Sequence, residues 1–279
     1  MTKFKIEPRA KFLGGGGFFP DTSGVLARNF CKHPLRMTGR GLWLCGAFLF
    51  AALDYVVTVA FGKKERRSTA RGLWLQRNSR RVLRVVRTQI RIGGPVPKRG
   101  LLVCNHLSYL DILVIAATAP ASFVSKSEIR HWPVFGWFAR IAGTIFVRRE
   151  KRSDVTRAAS EMKAALEAGL LLVLFAEGMS SNGETVLPFK SSLLEPAAKS
   201  THPLQVGYIN YAIEDGDVVE EVYYWRDMTL LPHLLNLLSK RRLSARVVFA
   251  PVPEAKMGRK ELARKLHAEV LGLKNGMGT

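Results

Sequence analysis

The segment LLVCNHLSYLDI, residues 101–112, decides the fold of this chain. Residues 101–104 are an apolar run of strand length, too short for a helix. Asn105 and His106 interrupt it, and from Leu107 a helical pattern runs to Thr118. A buried strand passing through a short loop into a helix opens a β-α unit, and such units build sheets covered by helices.

Outward from this segment the same alternation recurs. Residues 122–126, 144–147, 170–175, 204–209, 221–225 and 245–250 read as further strands. Residues 132–141, 154–168, 189–199, 230–239 and 259–271 read as helices. The expected class is α/β: helices covering a central, mostly parallel or mixed sheet, preceded by an N-terminal membrane-associated helical segment. Three regions follow: a poorly ordered basic stretch (1–40), apolar and amphipathic membrane-associated helices (41–91), and an α/β domain (92–279).

Residues 41–62 are almost unbroken apolar sequence with one acid, Asp54. At ~1.5 Å per residue the run suffices for a ~30 Å hydrocarbon core. Both flanks are basic, with Lys32, Arg36 and Arg40 before it and Lys63, Lys64, Arg66 and Arg67 after it. A simple span would carry one basic flank across the membrane, so the segment is expected to dip into the cytoplasmic leaflet and return. Arg77, Arg80, Arg84, Arg87 and Arg91 then recur at helical spacing in a stretch without acids. That pattern predicts a basic amphipathic helix against anionic headgroups.

The chain has 43 Lys and Arg against 22 Asp and Glu, a net charge of +21. Such a balance suits an anionic membrane surface, phosphate-bearing substrates or nucleic acid. No nucleic-acid motif is present, and the arginines adjoin a lipid-length apolar run, so nucleic acid is not expected. Cys31, Cys45 and Cys104 match no zinc or CxxC pattern and read as reduced thiols. No metal-ligand cluster and no cleavable signal pattern stand out.

The chemistry centres on His106 and Asp111. A histidine at the carboxyl end of a strand is placed where α/β folds build sites, and its proton affinity suits base catalysis near neutral pH. An acid five residues on, in the first turn of the next helix, can reach the second ring nitrogen and fix its tautomer. Ser108 and Asp111 equally fit a capping box, in which the acid serves only the helix start. Two further strand ends carry polar groups: Arg148 and Arg149, suited to a phosphate or carboxylate, and FAEGMSSNG (175–183), which holds Glu177, Gly178 and Ser180. A weaker block, HPLQVG (202–207), opens a later strand.

In this order and spacing the blocks resemble the glycerophospholipid acyltransferase family, whose bacterial members include 1-acylglycerol-3-phosphate acyltransferases, over roughly residues 85–250. His106 and Asp111 match its first block, Gly143 and Arg149 its second, and Phe175, Glu177, Gly178 and Ser181 its third. The chain departs from the family where Ala176 replaces a usual proline, Met179 a threonine and Ser180 a common arginine. Arg148 takes a place often held by Asp or a small polar residue. The fourth block lacks its proline, Val206 being the nearest position.

The resemblance implies acyl transfer with His106 as base and Asp111 as its partner. It implies substrate contacts at Asn105, Ser108, Arg148, Arg149, Glu177, Gly178 and Ser180, and an oxyanion stabilised by backbone donors near the following helix. No cofactor or metal is implied; the donor is acyl-CoA or acyl-carrier protein. The acceptor is a lysolipid, lysophosphatidic acid first and a lyso-ornithine-type aminolipid second, at the cytoplasmic face of the inner membrane. No nucleophile elbow supports a hydrolase. The reading from another class is a non-catalytic basic protein that binds membranes.

Overall fold

The computed structural model describes residues 33–63, 66–148, 151–198, 202–253 and 257–277, which fall within one compact unit. Helix α1 (Pro34–Tyr55) continues through a wider turn, Val56–Ala60, and is followed by α2 (Arg67–Val85) and β1 (Thr88–Gly93). The sheet continues with β2 (Gly100–Cys104), α3 (Leu110–Thr118), β3 (Ser122–Lys126), α4 (Phe135–Ile141), β4 (Ile145–Val147), α5 (Arg152–Glu167) and β5 (Leu171–Phe175). After α6 (Glu195–Ala198) come β6 (Leu204–Ile213), α7 (Val218–Glu221), α8 (Leu230–Ser239), β7 (Leu243–Val252) and α9 (Arg259–Gly276).

The seven strands lie in the order β1-β7-β6-β2-β5-β3-β4. Every pairing is parallel except β6 with β7, so the sheet is mixed. The central strands are apolar throughout because helices cover both faces. Leu102 and Cys104 of β2, with Leu171, Val173 and Phe175 of β5, point into the core that α1, α2, α3 and α8 share. Leu101, Val103, Leu172 and Leu174 point the other way, towards α5 and α9. Burying alternate side chains on opposite faces is the consequence of a two-residue period.

Helix α1 sends one stripe inward, Leu44, Ala47, Ala51 and Val59, and leaves Leu35, Leu42, Leu49, Leu53 and Val57 exposed. Both ends are tied to the domain. Arg40 donates to the carbonyls of Leu238, Lys240 and Arg241, and Arg36 to that of Ser239 at 3.0 Å. These are carbonyls at the end of α8, which lack intrahelical donors and carry the negative end of the dipole. Towards its other end, Asp54 accepts from Asn78 at 2.8 Å, Arg77 at 3.1 Å and Arg81 at 3.4 Å, all on α2.

Several expectations change. Residues 34–40, expected to be poorly ordered, form the first turns of α1; residues 1–32 lie outside the described residues. Within the 41–91 segment, Leu44, Ala47, Leu83 and Val85 share a core with the sheet. The arginine stripe is not one helix facing headgroups. Helix α2 ends at Val85, Arg87 takes a positive φ of 50°, and Arg91 sits in β1, a strand whose alternation the stripe concealed. Arg77 and Arg81 are turned onto Asp54, and Arg80 Nε donates to the Ala117 carbonyl at 2.8 Å. Residues 221–225, expected as a strand, are instead the last residue of the short helix α7 and the turn and irregular chain after it; the helix start is capped by Asp217 accepting from Val219 and Glu220. Residues 189–199, expected as one helix, split into a tight turn, Ser191–Leu194, and α6.

Candidate active site

Strand β2 ends at Cys104, and its next residue is pinned by a side chain rather than by the ladder. Asn105 is buried; its Nδ2 donates to the Ile209 carbonyl at 3.0 Å and its Oδ1 accepts from the Ile209 N–H at 2.8 Å. The amide thus extends the β2–β6 pairing by one rung and aims the following residue out of the sheet. Asn105 faces β6.

His106 emerges there, its ring stacked on Phe175 with centroids 4.2 Å apart. Its Nδ1 lies 2.7 Å from Asp111 Oδ2. The same oxygen accepts the backbone N–H groups of Leu107 (2.7 Å) and Ser108 (3.0 Å), and Oδ1 accepts the Tyr211 hydroxyl at 2.7 Å. Four donors meet one fully buried carboxyl group, matching the roughly four lone-pair sites of an ionised acid. Both readings of Asp111 therefore hold together: it caps α3 and it orients the histidine. With Nδ1–H donating to Asp111, Nε2 is left as the basic nitrogen. Burial beside Asp111 pushes the Tyr211 hydroxyl pKa well up, so it stays a donor.

Glu177 braces the loop from beneath. Its Oε1 accepts the His106 N–H at 2.7 Å and its Oε2 the Leu187 N–H at 3.0 Å. Burial pushes its pKa up to about 7, against the lowering influence of those two N–H donors. Gly178 makes the turn after β5 at φ 85°, with its N–H on the Phe175 carbonyl at 3.2 Å. Ser181 N–H donates to the His106 carbonyl at 3.0 Å, Ser180 Oγ donates to the Tyr224 carbonyl, and Tyr224 N–H donates to the Leu107 carbonyl at 2.8 Å. The loop carrying the histidine is thereby fastened from both sides.

These placements redistribute the expected substrate contacts. Ser108 is fully buried and its hydroxyl accepts from Leu110 N–H at 3.4 Å, a helix-start role. Glu177, Gly178 and Ser180 hold the loop through the contacts above. The expected oxyanion donors are already engaged: His106 N–H by Glu177, Leu107 and Ser108 N–H by Asp111, Leu110 N–H by Ser108. Arg148 is not beside His106; it leaves the end of β4 and binds Asp154 of α5 at 3.2 Å. That pair and Arg157 hold the Asp154 carboxyl down to about 2. Arg149 lies outside the described residues. Tyr211 escaped the sequence reading, being 100 residues from Asp111 with no local signal to join them.

A family model described as acyltransferase matches residues 83–210, which contain this whole constellation apart from Tyr211 and Tyr224. The chain is 37% identical over 187 residues to the lyso-ornithine lipid O-acyltransferase of Brucella abortus, covering 62% of this chain and 70% of that protein. It is 37% identical over 195 residues to the protein of the same name from Rhodobacter capsulatus, covering 67% and 68%. The 1-acyl-sn-glycerol-3-phosphate acyltransferase of Neisseria meningitidis is 33% identical over 180 residues, covering 63% and 70%. The chain belongs to the glycerophospholipid acyltransferase family. In fold, this acyltransferase resembles the crystal structure of PlsC from Thermotoga maritima, with a TM-score of 0.54 at 19% identity over 85% of this chain and 98% of that one. The hydrogen-bonded pair of His106 and Asp111 adds a geometry that family membership alone does not show: an imidazole held by a buried carboxyl group beside a strand end.

Proposed function

We propose that the enzyme transfers a fatty acyl group from an acyl-CoA or acyl-carrier-protein thioester to the free hydroxyl of a lysolipid at the membrane surface. The observation that carries the proposal is the 2.7 Å contact between His106 Nδ1 and a carboxylate that accepts three other donors. His106 Nε2 takes the proton of the acceptor hydroxyl, and the oxygen attacks the thioester carbonyl. The tetrahedral intermediate collapses by expelling the thiolate, which recovers the proton from the imidazolium. No covalent acyl-enzyme is needed.

The acceptor we favour is a lyso-ornithine-type lipid. The relatives at 37% identity carry that name. In this chain Ser180 occupies the place of a family arginine, and Arg148 is engaged by Asp154, which suits a headgroup with less negative charge than a phosphomonoester. Lysophosphatidic acid is the second reading, supported by the Neisseria relative and the adjacent arginines 148 and 149.

Helix α1 with its continuation, Pro34–Ala60, is 27 residues, and its most apolar 18-residue stretch has a mean hydropathy of 1.9, long and apolar enough to reach across a membrane. We place it instead in the cytoplasmic leaflet of the inner membrane, with the α/β domain on the cytoplasmic side. Its ties at Arg40 and Asp54 are about 21 Å apart along the helix and both join the same domain. The deciding experiment incubates the purified chain and a His106→Ala variant with a panel of lysolipids and both donor types, followed by mass analysis of products. Acylated lyso-ornithine lipid from the parent chain alone is the expected result; equal turnover by the variant would remove His106 from its role.

A further inference from the structure

A second polar feature lies along the carboxyl edge of the sheet, away from His106. A cleft of about 890 Å³ opens where β3 and β4 end, lined by Arg130, His131, Arg140, Phe146, Arg148 and Arg157 among others. Its construction is specific. The turn Ser127–His131 and helix α4 approach so closely that a Cβ at Gly136 would lie 2.5 Å from the Ile129 and Arg130 carbonyl oxygens. Only glycine permits that fold-back, and it brings Arg130 and Arg140 to the same opening.

The charges in the cleft do not cancel. Asp154 is shared between Arg148, at 3.2 Å, and Arg157, at 3.6 Å, and Arg157 also meets Glu161 at 2.5 Å. Among the described residues Arg130 and Arg140 form no ion pair, and Glu128 is the one other acid that lines the cleft. Among the described residues, four guanidinium groups meet three carboxylates, Asp154, Glu128 and Glu161, and with Arg130 and Arg140 outside any ion pair the excess suits a phosphate.

Distance decides which phosphate. Strand order places β3 two and β4 three intervals from β2, the strand that leads into His106, so the cleft is about 10–14 Å from the base. A lysolipid headgroup is separated from its reacting hydroxyl by only a few bonds and cannot reach that far. A pantetheine arm has a backbone comparable to four extended residues, about 14 Å. We propose that this cleft holds the phosphate of a 4′-phosphopantetheine arm, the group that acyl-CoA and acyl-carrier protein share, while the thioester lies at His106. The inference rests on the thioester-donor reading above.

The test uses the full chain in mixed micelles with four donors: acyl-pantetheine, acyl-4′-phosphopantetheine, acyl-CoA and acyl-carrier protein. The parent chain is compared with an Arg130→Ala/Arg140→Ala variant and with the corresponding double lysine variant. The expected result is that the parent prefers phosphorylated donors by about tenfold or more in KM, and that the alanine pair erases this preference. Acceptor KM and kcat at saturating donor stay unchanged, and the lysine pair restores part of the preference. Whichever of acyl-CoA and acyl-carrier protein has the lower KM on the parent chain names the source of the arm. A rise confined to acyl-carrier protein means the arginines meet the carrier's surface, and a rise in acceptor KM means they meet the headgroup; either overturns the assignment. Normal transfer by the parent chain without any preference for phosphate sinks this inference alone. Transfer from none of the four donors sinks the thioester reading, and this inference with it.

Discussion

At the scale of single residues, the carboxyl group of Asp111 carries the most. It is fully buried and accepts from His106, Leu107, Ser108 and Tyr211 at once. In an Asp111→Asn variant one of those donors would face an amide NH₂, and the histidine would lose the partner that fixes its tautomer. The expected fall in kcat is about 10³–10⁴, with acceptor KM little changed; steady-state kinetics on the folded variant checks it, and a fall below tenfold would make Asp111 a helix cap only. Glu177 predicts a pH effect. Its folded-state pKa of about 7 lies above the ordinary 4.5, so between those values the folded protein holds a proton the unfolded chain has lost. The contribution to stability is present at low pH and drains away as pH rises to about 7. Glu177→Gln should flatten that part of the slope and cost about 1–3 kcal/mol, because its NH₂ faces the His106 or Leu187 N–H. Denaturant unfolding across pH 4–8 on both proteins measures the difference; parallel slopes would contradict it. The pair at 106 and 111 was legible because five residues and one helix turn join them. Asn105, Ser108 and Glu177 were legible as members of the site but not in their roles, since a motif records position and not what each side chain touches.

At the scale of elements, the central strands were readable from apolar runs alone, because both faces are buried and little else produces four or five such residues between turns. Residues 71–91 misled for a physical reason. Arginines spaced at three and four mark a helix face, yet a helix followed by a strand can keep that spacing by chance while the backbone changes period at Arg87. That Arg77 and Arg81 are paired was hidden too, since Asp54, their partner, lies on another helix. Helix α1 makes the testable case. Leu42 and Leu49 are 76% and 74% exposed, one heptad apart on the same stripe, while Leu44 and Ala47 fill the core. Changing an inserted leucine to aspartate costs about 3 kcal/mol of membrane partitioning. Leu42→Asp or Leu49→Asp should therefore weaken vesicle binding about 100-fold without lowering the unfolding midpoint. Co-sedimentation with anionic vesicles reads the first effect and denaturant titration the second; unchanged sedimentation would show that this stripe faces something other than lipid.

At the scale of the whole molecule, the question is how a chain of net charge +21 and its apolar helix share one surface. A helix crossing the bilayer would have to part from the domain at one end. Releasing Arg40 would strand the carbonyls of Leu238, Lys240 and Arg241, and releasing Asp54 would leave a carboxylate in hydrocarbon without Arg77, Arg81 and Asn78. Each loss costs more than the few tenths of a kcal/mol that each exposed leucine gains by deeper insertion. The arrangement that keeps both ties lays α1 along the interface with its outer stripe in one leaflet, and basic residues at both ends then stay with the anionic headgroups. The proposed topology can be tested directly. With Cys31 and Cys45 replaced by serine, Thr38→Cys and Lys63→Cys sit at opposite ends of the apolar stretch, both at exposed positions, and Cys104 stays buried and unreactive. A membrane-impermeant maleimide added outside inverted inner-membrane vesicles should label both positions, and neither in intact spheroplasts. Labelling of one position from each side would mean that α1 spans the bilayer, and the ties at Arg40 and Asp54 could not both survive in the membrane.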